Sequence, residues 1–494
     1  MKREKHLKAA LFFLFMILFV WESPLFPQER FRKSPPNPEP LPPLKLPAVD
    51  SYTLTNGLTI SVIQQDNMPV LSLKMIIFAG ESHSPENLPG LATLTANMLS
   101  RGVSYLSFSK IEESIEFIGG NFSVNIYPDF TLLSFTFLEE YLEEGIYLLK
   151  RMLMQPTFLR REIVNVKRSM KYDLIREYED PGFIAKRQLL RILFSNHNYK
   201  KSTYNEDVIK NLNQKDIISF FQKYYRPNNA HLVLTGNINL PTASRKVSKY
   251  FRSWRRRELK HDFVPPPDPN PKLRICFVDI RGTRDAWIYM GNVISNKTRQ
   301  EIFPLLVLNQ VLGGTRISRL FMNLRESKEY AYWAFSEVEF FKNFNVFFVR
   351  AKVRAEVTFS SIREIIEETK KITEKKIPSF EIEQAKSFLI GKFPWHIQTF
   401  DTLSAEVSKI KALNLGEEYW EKYYDNIMLI NSENAFEMAK TYSLLNPVVV
   451  IVGDSSKILD RIQEFGKIEI YDSKGNLRQT TSPIKKKEKS NEAR

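Results

Sequence analysis

Apolar residues along this chain repeat with two periods. Residues 51–65, SYTLTNGLTISVIQQ, alternate apolar and polar positions on both sides of Asn56-Gly57. That spacing predicts two strands joined by a tight turn. Residues 70–80 and 121–138 alternate in the same way, again predicting strands. Elsewhere apolar residues recur three and four apart, the period of a helix with one buried face. Two such stretches, residues 137–170 and 357–389, are each interrupted by a proline, Pro156 and Pro378. Proline has no amide proton and clashes with the preceding turn, so each stretch predicts a helix, a break and a second helix.

These landmarks occur twice. The apolar run HLVLTGNIN stops at Gly236, and VVVIVGDSS stops at Gly453, 217 residues later. Pro156 and Pro378 are 222 apart, and the glycine-ended helices GLATLTANMLSRG and PLLVLNQVLGG are offset by about 211. Three landmarks at nearly one spacing argue for duplication, and the period is too long for a solenoid. The expected fold class is α+β: two similar domains, each a mostly antiparallel sheet with helices packed on one face, forming a clam-like body. The first domain is expected over 49–254, a proline-rich interdomain linker over 255–271, and the second domain over 272–472.

The two ends read differently. Lys2, Arg3, Lys5 and Lys8 precede thirteen uncharged apolar residues, Ala9 to Trp21. Residues 1–22 therefore read as a signal peptide or a membrane anchor, with the body exported to the periplasm or held on the membrane facing it. Residues 23–48 hold nine of the 27 prolines and predict an extended linker. Residues 473–494 lack apolar periodicity and read as a basic disordered tail.

At 494 residues, 43% hydrophobic, the chain is long enough for two domains with real cores. The formal charge of +15 is concentrated at the ends: residues 1–48 contribute +4 and residues 473–494 contribute +5. The body is left near +6, with no nucleic-acid-binding pattern. Arg255-Arg256-Arg257 reads as a solvated loop. The single cysteine, Cys276, excludes an internal disulfide and paired-cysteine zinc sites. No two of the six histidines are three or four apart, so no local two-histidine helical metal site can form. His83-Ser84-Pro85-Glu86-Asn87 offers one imidazole beside a helix-breaking proline; His83 and Glu86 are expected to be solvent-facing loop residues.

Three segments in order, LTNGLTISVIQQDNMPVLSLKMIIFAGESHS, YYRPNNAHLVLTGNI and LNQVLGGTRISRLFMNLRESKEYAYWAFS, resemble the pitrilysin/insulinase family of zinc peptidases. The likeness is to its bacterial, mitochondrial-processing-peptidase-like branch and covers nearly the whole body. The family's catalytic helix carries His-x-x-Glu-His: two imidazoles one turn apart bind zinc, and the glutamate is the general base. The matching positions here are Thr93, Ala96 and Asn97, and the downstream ligand falls near Asp173. A hydroxyl, a methyl and an amide cannot replace two imidazoles and a base. The resemblance therefore implies a chain that binds no metal cofactor of its own.

The second half keeps what the first has lost. Family members carry an arginine and a tyrosine seven residues apart that reach a partner's zinc site; here they fall on Arg325 and Tyr332. The resemblance implies a heterodimer in which a homologous partner carries the zinc and this chain supplies Arg325 and Tyr332 as catalytic donors in trans. The alternative it implies is a non-catalytic peptide-binding or assembly protein. Expected partners are that zinc-bearing subunit, peptide substrates added as a strand to a sheet edge near residues 117–122, and a membrane through the N-terminal segment, with no nucleic acid. Gly119-Gly120 reads as a plain helix-to-strand turn. Gly313-Gly314 are expected to cap the preceding helix in a tight turn, although Thr315-Arg316 interrupts the longer glycine run of the family.

Overall fold

The computed structural model describes residues 46–259, 267, 272–294, 301–441 and 446–481. The expectations for residues 1–22, for most of the 23–48 linker and of the 255–271 connector, and for residues 482–494 lie outside the described residues.

The first sheet contains β1 (Asp50–Thr53), β2 (Thr59–Gln64), β3 (Val70–Ile77), β4 (Asn121–Ile126), β5 (Thr131–Leu138) and β6 (Ala230–Gly236). The expected hairpin joins β1 to β2: the Leu54 amide donates to Leu58 O at 2.9 Å, and Gly57 adopts φ +91°. That left-handed conformation costs glycine nothing. The sheet order is β1-β2-β6-β3-β5-β4, antiparallel except for the β2–β6 pair.

The second sheet contains β7 (Arg274–Asp279), β8 (Asp285–Ile294), β9 (Ala331–Phe340), β10 (Asn345–Arg354), β11 (Val448–Gly453), β12 (Ile468–Tyr471) and β13 (Leu477–Thr480). Its order is β9-β10-β8-β11-β7-β12-β13. Read from the other end, β7-β11-β8-β10-β9 repeats β2-β6-β3-β5-β4. The β7–β11 pair is parallel, as β2–β6 is. The duplication thus extends to strand order and direction.

Each sheet packs its own helices on one face. In the first, Leu73, Met75, Phe135 and Leu232 bury against Leu91, Leu94, Ile146 and Leu149 of the helices Leu91–Asn97 and Leu142–Met154. In the second, Ile288, Val349 and Ile451 share a core with Ile302, Leu305 and Ile362. The opposite faces carry a layer that the alternation left unassigned. Helix Phe400–Ala412, from the second half, lies across β3 and β6 of the first sheet, and helix Pro181–Leu193, from the first half, lies across β8 and β11 of the second. Ile184, Ala185 and Leu189 there bury against Cys276, Tyr289, Val450 and Val452.

The exchange also contains a charge. Lys74, on the outward-facing register of β3, is 2% exposed, and its Nζ meets Asp401 Oδ1 at 2.5 Å. Ser72 and Thr136 donate to the same oxygen at 3.4 and 2.9 Å. A buried ammonium without such a partner would be strongly destabilising.

One boundary differs from expectation. Residues 473–494 read as disordered, yet Leu477–Thr480 forms the edge strand β13, paired with β12. All four side chains of this strand are exposed. It is held by backbone hydrogen bonds and leaves no apolar period to detect.

Candidate functional site

The helix Leu91–Asn97 bears three of the four degenerate positions. Thr93 points at a buried carboxylate: its Oγ1 donates to Glu81 Oε2 at 2.8 Å, and its amide donates to the same oxygen at 3.1 Å. Glu81 Oε1 accepts from Ser84 Oγ at 2.8 Å and from the Gly90 amide. Ala96 is fully buried, and Asn97 Nδ2 turns back to Thr93 O at 3.0 Å. Asp173, on the adjacent helix Arg160–Glu177, is exposed. Among the described residues no three His, Cys, Asp or Glu side chains are grouped to hold a metal ion. The residues at the family's zinc positions therefore do not fit zinc: the hydroxyl is engaged with Glu81, the methyl has no donor atom, and the amide caps its own helix.

Glu81 escaped the sequence reading. It is 3% exposed, and burial pushes its carboxyl up to about 7, against the hydrogen bonds from Ser84, Gly90 and Thr93 that favour the charged form. Its place at the N-terminus of the helix suits an acceptor, because the first-turn amides lack intrahelical partners. Capping from nine residues upstream has no signature in local spacing.

His83 also departs from expectation. It is half-buried: Nδ1 accepts from the Gly80 amide at 3.2 Å, and its ring meets Tyr224 edge-on at 5.3 Å. Glu86 is exposed as expected and pairs with Lys200 at 2.5 Å. Gly119-Gly120 forms the helix-to-strand turn, with Gly119 at φ +62° and the Gly120 amide on Ile115 O at 2.8 Å. The strand that follows, β4, is an edge strand of the first sheet.

Arg325 and Tyr332 come together. Both line an open hollow of about 690 Å³ with Arg316, Phe321, Met322, Glu326, Trp333, Phe335 and Arg350. Its floor is β9, the edge of the second sheet. The β9–β10 register pairs Ala331 with Val353 and then Trp333 with Lys352, so Tyr332 is the extra residue of a bulge. A bulge re-aims a side chain, and Tyr332 is 50% exposed rather than packed in the core. The Lys352 ammonium lies 4.9 Å from its ring centroid and is paired with Asp285 at 3.1 Å. The Arg350 guanidinium lies 5.2 Å from the Trp333 centroid and 5.7 Å from that of Phe335, and it pairs with Glu337. Trp333, Phe335 and Arg350 were not singled out from the sequence, because alternation along β9 and β10 gives their face but not their convergence.

The glycines beside this hollow act through space. Gly313-Gly314 close a wide helical turn, Gln310–Gly314, instead of capping a tight one. A Cβ on Gly313 would stand 2.3 Å from the Ser336 amide nitrogen. Glycine is required there so that the turn can lie against β9. Gly313 itself has φ −157°, which any residue adopts.

Comparison with known proteins bears on the family and the fold. Residues 60–207 match the model of the insulinase family (peptidase family M16), and residues 211–389 match that of the peptidase M16 inactive domain. A Bacillus subtilis protein described as an uncharacterized zinc protease, YmxG, is 25% identical over 399 residues, covering 80% of this chain and 94% of its own length. A Helicobacter pylori protein described as non-peptidase homolog YmxG is 22% identical over 409 residues, covering 81% and 93%. Among solved structures, a peptidase M16 inactive domain from Pseudomonas fluorescens matches with a TM-score of 0.76 at 20% identity, covering 82% of this chain and 98% of that one.

Proposed function

Because this chain belongs to the insulinase (M16) family, we propose that it is the zinc-less subunit of a two-chain metallopeptidase. In this reading it binds substrate and supplies Arg325 and Tyr332 to a site whose zinc belongs to a homologous partner. The observation that carries the reading is a contrast within one chain. The zinc-helix positions are Thr93, hydrogen-bonded to Glu81, Ala96, a buried methyl, and Asn97, hydrogen-bonded back to the helix itself, while Arg325 and Tyr332 share an open hollow.

The chemistry asked of the pair is modest. Peptide hydrolysis develops charge on a carbonyl oxygen, and a donor fixed where that charge appears lowers the barrier. The Tyr332 hydroxyl, carried on a bulge, is such a donor. The Arg325 guanidinium can hold a peptide carbonyl through several N–H groups. The peptide would run as an added strand along β4, the free edge of the first sheet. The first twenty-two residues would export the body to the periplasm, or tether it to the membrane on that side, through the apolar run Ala9 to Trp21 behind four cations.

Co-purification with a zinc-bearing homologue, followed by peptide cleavage, tests the proposal. Tyr332→Phe and Arg325→Ala should each slow the pair about a hundredfold. Unchanged rates in both variants would remove the catalytic role. A second reading, a peptide-binding or assembly protein without catalysis, is favoured by the description of the Helicobacter pylori relative as a non-peptidase homolog. It predicts that no partner confers cleavage while peptides still bind.

A further inference from the structure

We propose that the hollow beside Tyr332 is a carboxylate-recognition subsite for peptides, with Arg316 as its specificity-determining residue. This rests on the reading of the hollow as a peptide site and names the class of peptide it prefers: one carrying a carboxylate next to an aromatic or aliphatic side chain.

Three guanidinium groups line the hollow, those of Arg316, Arg325 and Arg350, against one carboxylate, that of Glu326. Arg350 is ion-paired with Glu337 and lies against the rings of Trp333 and Phe335. Lys352, over Tyr332, is satisfied by Asp285. Among the described residues Arg316 and Arg325 have no ion-pair partner, and both are exposed. Arg319, three residues further on, provides the contrast: Glu381 holds its guanidinium at 2.7 and 3.0 Å. The arginines of this segment are therefore of two kinds, one locked into the fold and two presented to the hollow.

The walls sharpen the preference. Phe321 and Phe335 meet at 5.5 Å, and Trp333 stacks on Phe335 at 6.5 Å. An apolar wall lowers the local dielectric and strengthens the pairing of a guanidinium with a bound anion. Guanidinium matches carboxylate through two parallel N–H donors, which an amide cannot use equally. Arg316 stands in the loop that leaves Gly313-Gly314. Arg316 and Arg325 line the same hollow as Trp333 and Phe335, so a carboxylate bound there would be held by the two guanidinium groups while its neighbouring side chain rests on the rings.

The carboxylate can come from an acidic side chain or from a peptide C-terminus, and four fluorescent peptides separate the two. Peptides of about ten residues, each with one aromatic residue, carry Glu or Gln beside it and end as free acid or amide. Their binding to the full chain alone is followed by anisotropy. The Glu peptides, the free-acid peptides or both should bind about tenfold or more tightly than the Gln amide, the size expected for a charge-assisted contact. Arg316→Ala should bring that ratio towards one, and so should raising salt from about 50 mM to about 500 mM. A Glu amide that outbinds a Gln acid assigns the side chain; the reverse assigns the C-terminus. Equal binding of all four peptides, or a preference intact in Arg316→Ala, would overturn the subsite and leave the peptide-site reading standing. Binding of none would overturn both.

Discussion

Replacing Glu81 with glutamine separates charge from shape at the head of the degenerate zinc helix. The carboxyl is 3% exposed and accepts from Ser84, Gly90 and Thr93. Burial raises it to about 7 from the ordinary 4.5. A raised carboxyl means that the folded state favours the protonated form. Its contribution to stability is complete below the unfolded value near 4.5 and is lost as pH rises through about 7. Each tenfold change in proton affinity is about 1.4 kcal/mol, so the whole effect is about 3 kcal/mol, of which about 2.5 kcal/mol falls between pH 5 and pH 8. Glutamine mimics the neutral form and has no such slope. Urea unfolding of the full chain and of Glu81→Gln at several pH values should show the variant gaining about 2.5 kcal/mol on the parent between pH 5 and pH 8. A gap that stays constant, or one that moves in the parent's favour as pH rises, would refute the reasoning.

Other changes follow from packing. Asp401→Asn should cost about 2 kcal/mol, below the range for a wholly buried pair because the Asp401 side chain is 53% exposed. Adding Lys74→Met should recover most of that loss, as read by urea midpoints. Gly313→Ala should cost about 2 kcal/mol or more, because its Cβ would press on the Ser336 amide at 2.3 Å. Gly391→Ala, inside the helix Ser379–Lys392 with nothing within 4 Å of the added methyl, should instead stabilise by about 0.5–1 kcal/mol.

Where side-chain alternation reports burial, the sequence sufficed. The Asn56-Gly57 hairpin, the strands around Leu73 and Phe135 and the helix breaks at Pro156 and Pro378 all follow from local pattern. The similar offsets of Gly236 to Gly453 and of Pro156 to Pro378 anticipated a duplication that strand order then displays. What stayed hidden depends on distant contacts. Lys74 reads as a polar interruption in β3 until Asp401, 327 residues later, covers it. Glu81 reads as a loop acid until the Thr93 amide turns towards it. At the candidate site, the motif identified Arg325 and Tyr332, and Thr315-Arg316 stood out as an interruption of the glycines. The bulge that turns Tyr332 outward is a matter of strand register, and no residue type announces it.

The most direct test of the central claim is the metal content of the isolated chain, measured after purification in zinc and dialysis. With Thr93, Ala96 and Asn97 at the helix positions, the account predicts far less than one tightly held zinc per chain and no peptide cleavage without a partner. About one zinc per chain, lost on mutation of that helix and accompanied by cleavage, would contradict it.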